Sequence, residues 1–258
     1  MSNLVRSLRT FTAARIGLQA TGASLATQEV LQLAQDHALA RDAVQAPFNT
    51  EQLRSQLHEM GHPVLQVHSR APDRATYLRR PDFGRQLGAE DAATLSASQL
   101  PGSPQPAVVV VIADGLSAAA PGAHALPLIR ELTALSPARW AGVPVVIAEQ
   151  ARVALGDAVG VALRVQLVLV LIGERPGMSA HDSLGAYLTY APHAGRTDAE
   201  RNCVSNIRPQ GLGYAQAAHQ LHWLVEQALT RGVTGIELKD ESGAALLHIG
   251  AAPANIGA

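Results

Sequence analysis

"LVLVLIGERPGMSAHDSL", residues 167–184, opens as an unbroken apolar run from Leu167 to Ile172 and then turns into Gly173-Glu174-Arg175-Pro176-Gly177. An apolar run without polar alternation reads as a strand covered on both faces, the form strands take in a parallel sheet flanked by helices. Two upstream stretches share that texture, "AVVVVIADG" (107–115) and "VPVVIAEQ" (143–150). Between them lie "AHALPLIRELTAL" and "RVALGDAVGVAL", both helical in spacing. This is the pattern of two consecutive βαβ units. Right-handed crossovers make a doubly wound, Rossmann-like parallel sheet flanked by helices the expected fold, in the α/β class. "LGAYLTYAP" (184–192) reads as a further strand, "GYAQAAHQLHWLVEQALTRG" as a long helix closed by Gly232, and "TGIEL" as a last strand.

Each of the three apolar strands runs into an acidic residue: Asp114, Glu149 and Glu174. Ligands of open parallel sheets collect beyond the carboxyl ends of the strands, so the three carboxylates are expected to rim one cleft. Glu174 and Arg175 then stand where a ligand is held. The plainer reading of Glu174 is a strand cap or a partner for Arg175, and the sequence leaves both open.

Residues 1–100 read as a mostly helical N-terminal region. "TQEVLQLAQDHALARDAV" recurs at helical spacing through Val30, Leu31 and Leu33, and "TEQLRSQLHEM" starts after an Asn49-Thr50 cap signal. A short strand, "PVLQVHS", follows, and then "RAPDRATYLRRPDFGRQL", which reads as too polar for the core. "PGSPQP" (101–106) marks the boundary with an α/β domain over 101–258. Leu4, Leu8 and Phe11 fall on one face of a short N-terminal helix.

Apolar residues make up 47% of the 258 and aromatics 3%, so the core is built from Ala, Val, Leu and Ile. A net charge of −1 gives no general attraction to nucleic acid or to a membrane surface. Lys239 is the one lysine among 20 basic residues, which fits either a coding bias or a use for bidentate arginine contacts. The single Cys203 leaves no partner for an intrachain disulfide. No apolar run reaches the roughly 18 residues of a membrane span. The arginine-bearing N-terminus lacks the apolar centre of a secretory signal, so a cytoplasmic protein is expected.

Several motifs invite chemistry and weaken on inspection. "HEMGH" (58–62) has H-E-x-x-H spacing, but Gly61 and Pro63 end the helix before His62 reaches the face of His58. Ser179, His181 and Asp182 supply triad residue types, yet a triad draws its base and acid from separate loops, and "GMSAH" lacks the second glycine of G-x-S-x-G. No G-x-G-x-x-G or Walker pattern follows a strand. His219 and His222 share a helix face beside Trp223, where partial burial is the plainer use. A stand-alone α/β hydrolase or small-molecule-binding protein using Asp114, Glu149 and Ser179 is the alternative reading these residues allow.

"ARIGLQATGASLATQEVLQLAQDHALARDAV", "VHSRAPDRATYLRRPDFGRQL", "VVVVIADGLSA", "GERPGMSAHDSLGAYLTYAP" and "GRTDAERNCVSNIRPQGLGYAQAAHQL" together resemble the small (light) subunit of ethanolamine ammonia-lyase, over about residues 13–238. The resemblance implies a subunit of an adenosylcobalamin-dependent carbon–nitrogen lyase that converts ethanolamine to acetaldehyde and ammonia. It implies a separate large subunit, a (β/α)₈ barrel holding the substrate, with this chain covering part of the cobalamin at the interface. It also implies that the catalytic residues lie on that other chain. By motif it carries over three cofactor contacts: Val153 of "RVALGD", Glu174 of "GERPG" and Cys203 of "RNCVSN". It implies no metal ligand here. In agreement, no D-x-H-x-x-G occurs, since no histidine has an Asp two residues before it. Enclosure in a bacterial microcompartment is a further expectation of the family. The final "AAPANIGA" does not match the family pattern.

Overall fold

The computed structural model describes residues 7–8, 10–11, 14–98 and 106–243. The helix face through Leu4, the boundary stretch as far as Gln105 and the tail after Gly243 lie outside them.

A two-stranded hairpin, β1 (Ala20–Thr21) and β2 (Ser24–Leu25), is followed by α1 (Thr27–Gln45) and α2 (Thr50–Glu59). The Asn49 side chain caps α2 by accepting from the Gln52 amide. Next come β3 (Val64–His68), α3 (Arg74–Arg79), α4 (Ala89–Ala97), β4 (Val108–Ala113), α5 (Ala119–Leu135), α6 (Pro137–Trp140) and β5 (Val145–Glu149). The chain continues through α7 (Leu155–Leu163), β6 (Leu167–Gly173), β7 (Leu184–Tyr190), β8 (Asn202–Ile207) and α8 (Tyr214–Arg231). Gly232, at φ +72°, ends α8 in the left-handed conformation that glycine adopts without strain.

Six strands form one sheet in the order β3-β5-β4-β6-β7-β8. The first four run parallel, and every residue of β4 and β6 is buried. Alternate side chains serve opposite faces. Val108, Val110, Ile112, Leu167, Leu169 and Leu171 pack with α2, α5 and α8, whereas Val109, Val111, Val168 and Val170 pack with α4 and α7. Helices therefore cover both faces, as the apolar runs require.

The sheet is mixed rather than wholly parallel, which corrects the expected all-parallel topology. β7 returns antiparallel to β6, and β8 antiparallel to β7. A parallel return needs a crossover of a dozen or more residues, usually helical, and the loop between Gly173 and Leu184 contains no helix. β3, from ahead of the proline-rich boundary, pairs with β5, so strands from both sides of that boundary build one sheet. "TGIEL" is a 3-10 turn at Gly235–Glu237 with Ile236 in solvent, not a strand. The arginine-rich stretch expected to stay out of the core buries Tyr77 completely.

α1 stands apart from this packing. Ala43 is its one buried residue, while Val30, Leu31, Leu33 and Leu39 are exposed. Among the described residues no helix is long and apolar enough to cross a membrane.

Candidate functional site at the carboxyl ends of β4, β5 and β6

The loops leaving β4 and β6 diverge, the first toward α5 on one face and the second toward β7. That divergence opens the crevice in which α/β sheets hold ligands. The crevice is a cleft of about 440 Å³, with Leu116 after β4, Arg152 and Val153 after β5, and Glu174 after β6 along its wall. Two glycines set its floor. A Cβ on Gly115, at φ +59°, would collide with the Gly173 carbonyl, and one on Gly173 would collide with that of Ser117. The Leu116 amide accordingly donates to the Gly173 carbonyl at 2.9 Å, tying the two strand ends together.

The three strand-end carboxylates do not share this cleft. Asp114 is 1% exposed and turns inward, accepting from the backbone amides of Gly115 (3.0 Å), Gln150 (3.0 Å) and Ala151 (2.9 Å), with Arg74 at 3.4 Å. Burial pushes its carboxyl above the usual range, against the pull of the Ala151 amide and Arg74. All of its partners donate, so the ionised form is the one this setting accommodates. Glu149 accepts from Gln66 of β3 at 2.8 Å, at the far side of the sheet. Only Glu174 lines the cleft.

Glu174 is held in place by its own neighbours. Oε2 accepts from the Ser183 hydroxyl at 2.6 Å and the Asn206 amide at 3.2 Å, and Oε1 accepts from the Ser205 hydroxyl. A carboxylate has about four acceptor sites, so Oε1 keeps capacity for one more donor. The pairing with Arg175 that the sequence allowed is not among its contacts: Glu174 instead braces β8 and presents a partly used carboxylate.

Val153 lines the same cleft. Cys203 does not line it, although it lies on β8 two residues before Ser205, which does, and opposite Tyr187 of β7, which does too. Cys203 is exposed, yet partial burial of its thiol raises its pKa against the opposing hydrogen bond with Tyr187, which favours the neutral thiol. Burial raises Tyr187 as well. Tyr77 is pushed to about 12 by burial, its hydroxyl donating to the Ala151 carbonyl at 3.2 Å.

The hydrolase alternative loses its geometry. Ser179 is exposed on the loop after β6, and Asp114 is enclosed by three backbone amides and Arg74. His181 Nδ1 stands 3.8 Å from its neighbour Asp182, which itself faces His124 at 3.4 Å. His58 is exposed at the end of α2, while His62 is buried against the Val143 carbonyl at 2.9 Å, so the "HEMGH" pair does not meet. His222 accepts from the Trp140 indole at 3.3 Å, a packing role. Among the described residues no cluster of three His, Cys, Asp or Glu could hold a metal ion.

Sequence reasoning missed Tyr77, Arg152, Tyr187 and Ser205 as cleft residues. Arg152 was within reach, being adjacent to Val153. The others depend on strand pairing and on the burial of a stretch that looked polar. It also missed the brace behind the site: Arg201, from the "RTDAERN" motif, makes a buried bidentate pair with Asp157 of α7 at 2.6 and 2.7 Å and donates to Thr189 of β7 at 2.7 Å. That pair anchors the entry to β8, the strand of Cys203 and Ser205.

The family description for the ethanolamine ammonia-lyase light chain (EutC) matches residues 2–239. The chain belongs to the ethanolamine ammonia-lyase light-chain family. Its relatives include the ethanolamine ammonia-lyase small subunits of Ralstonia nicotianae, 48% identical over 95% of this chain and 91% of the relative, and of Bradyrhizobium diazoefficiens, 52% identical over 91% of this chain and 90% of the relative. The light chain is thus a subunit of an ammonia-lyase, and the strand-end cleft is its candidate site.

Proposed function

We propose that this light chain closes one side of adenosylcobalamin against a large-subunit partner, in an enzyme converting ethanolamine to acetaldehyde and ammonia. The observation that carries this reading is Glu174, held by Ser183, Ser205 and Asn206 at the switch crevice with one acceptor site to spare. The rim of a corrin carries amide side chains whose N–H groups suit a fixed carboxylate. Val153 offers an apolar contact to the flat ring, and Cys203 a small neutral thiol nearby. The fit is to an edge: a cleft of about 440 Å³ takes the rim of such a coenzyme, and the remainder needs a second wall. The exposed apolar side chains of α1 are a surface suited to that second chain.

When bound, the coenzyme supplies a carbon-centred radical by homolysis of its Co–C bond. This chain's residues bind and orient it and keep water from one side. A cytoplasmic location, free or within a bacterial microcompartment, belongs to the same reading.

Co-expression with a barrel-type large subunit tests it. A stable hetero-oligomer that forms acetaldehyde from ethanolamine once adenosylcobalamin is added is the expected result. Failure of the two chains to co-purify, or ester hydrolysis by the lone chain that Ser179→Ala abolishes, overturns it. Within the assembled enzyme, Glu174→Ala is expected to weaken cobalamin retention about tenfold, read by visible absorption.

A further inference from the structure

Tyr77 carries two guanidinium groups over its ring, and their surroundings differ. Arg74, 4.8 Å from the ring centroid, donates to the carbonyls of Val44 (2.8 Å), Gly115 (2.8 Å) and Leu116 (3.2 Å) and to Asp114 (3.4 Å). Arg152, 4.5 Å from the same centroid, has no acceptor for its guanidinium among the described residues. Its Nε is shut off from solvent and unpartnered. Leaving a cationic donor desolvated without an acceptor costs free energy, and stacking on a tyrosine ring offsets only part of it.

The stack is held from behind. A Cβ at Gly84 would come within 2.9 Å of Arg152 Cγ and 2.8 Å of the Tyr77 ring, so glycine there leaves room for both. The Arg152 amide donates to the Gly84 carbonyl at 2.8 Å, fixing the backbone of the same turn. A guanidinium with its orientation set and its donors unused faces the cleft that Val153 and Glu174 also line. A primary amide presents an N–H pair and a carbonyl together. Glu174 suits the first and Arg152 the second.

We infer that Arg152 is a further coenzyme-contact residue of this chain, donating from its guanidinium to an oxygen acceptor on the corrinoid. That acceptor is an amide carbonyl of the ring periphery or the phosphodiester of the nucleotide loop. The inference rests on the proposal that the cleft faces the corrinoid.

The test uses the complex with the large subunit, titrated with cyanocobalamin and with cobinamide, which lacks the nucleotide loop, and followed by visible absorption. Arg152→Met is expected to raise the Kd for cyanocobalamin by about tenfold to a hundredfold, with Arg152→Lys recovering part. Weakening with both corrinoids assigns the acceptor to a ring amide, and weakening with cyanocobalamin alone assigns it to the phosphodiester. Unchanged affinity in Arg152→Met overturns the inference, as does poorer subunit assembly with unchanged affinity in the complex that forms. If Arg152→Met does not fold, Arg152→Gln replaces it under the same criteria. Glu174→Ala, run in parallel, separates the two levels. Weakening by Glu174→Ala alone overturns only the role of Arg152, whereas no change in either variant overturns the cleft as the corrinoid face too.

Discussion

Asp114 and Glu174 end adjacent parallel strands and began as equivalent candidates, yet they do different work. Asp114 is sealed under the turns that follow β4 and β5, and its two oxygens join three backbone amides and Arg74. Glu174 sits at the cleft with hydroxyls of two flexible side chains and one amide, and it retains an acceptor site. What separates them is the source of the donors. Backbone amides converging from two loops make a carboxylate part of the scaffold, while a carboxylate served mainly by side chains on one edge remains available to a ligand.

The sharpest way to break this contrast is Asp114→Ala. It leaves Arg74 and three amides without their acceptor in a dry interior and is expected to cost about 3–5 kcal/mol, a large part of a domain's stability. Urea denaturation measures it, and a loss below about 1 kcal/mol would erase the distinction. Asp114→Asn is expected to lose less, because the carboxamide oxygen still accepts. Next is Arg201→Met, which leaves Asp157 buried and unpaired and is expected to cost about 3 kcal/mol in the same measurement. It extends the scaffold side of the comparison to the brace behind β8.

Glu174→Ala is expected to lower stability by only about 1 kcal/mol, since Ser183 and Ser205 can turn their hydroxyls to other acceptors. Under the proposed function, its larger effect is expected in coenzyme affinity. Equal stability losses for Glu174→Ala and Asp114→Ala would show that both are scaffold.

The smallest effect concerns a carboxylate on the surface. The Thr197 amide, Arg196 and the Thr197 hydroxyl together hold Glu200 at about 2, against an ordinary 4.5. A folded value below the unfolded one means that its contribution is present above about pH 4.5 and is lost as the pH falls toward 2. Stability of Glu200→Gln is therefore expected to depend less steeply on pH in that window. An unchanged slope would show that the ion pair and cap around Glu200 do not persist in solution.

Much of the frame was legible along the chain. The runs at 107–115, 143–150 and 166–174 announce buried strands because no polar side chain interrupts them, and the intervening helices follow from their spacing. Glu174 and Val153 were legible too, from the position of a strand end and from family motifs. The fate of Cys203 was less so: its motif is intact, but the ladder sets it on β8 against Tyr187 of β7, just outside the part of β8, at Ser205, that lines the cleft.

The sequence by itself determined which segments are apolar on both faces, where they end, and which family's motifs they carry, because these are local properties of neighbouring residues. Only the tertiary structure decided that β7 and β8 run antiparallel, that β3 joins the sheet from ahead of the proline-rich boundary, and that Tyr77 is core. It alone decided that Asp114 is enclosed while Glu174 and Arg152 face the cleft. Strand direction and the supply of hydrogen-bond partners are set by segments distant in the chain. A carboxylate's role therefore depends on which backbone amides the fold brings to it, and no stretch of sequence around the carboxylate records that.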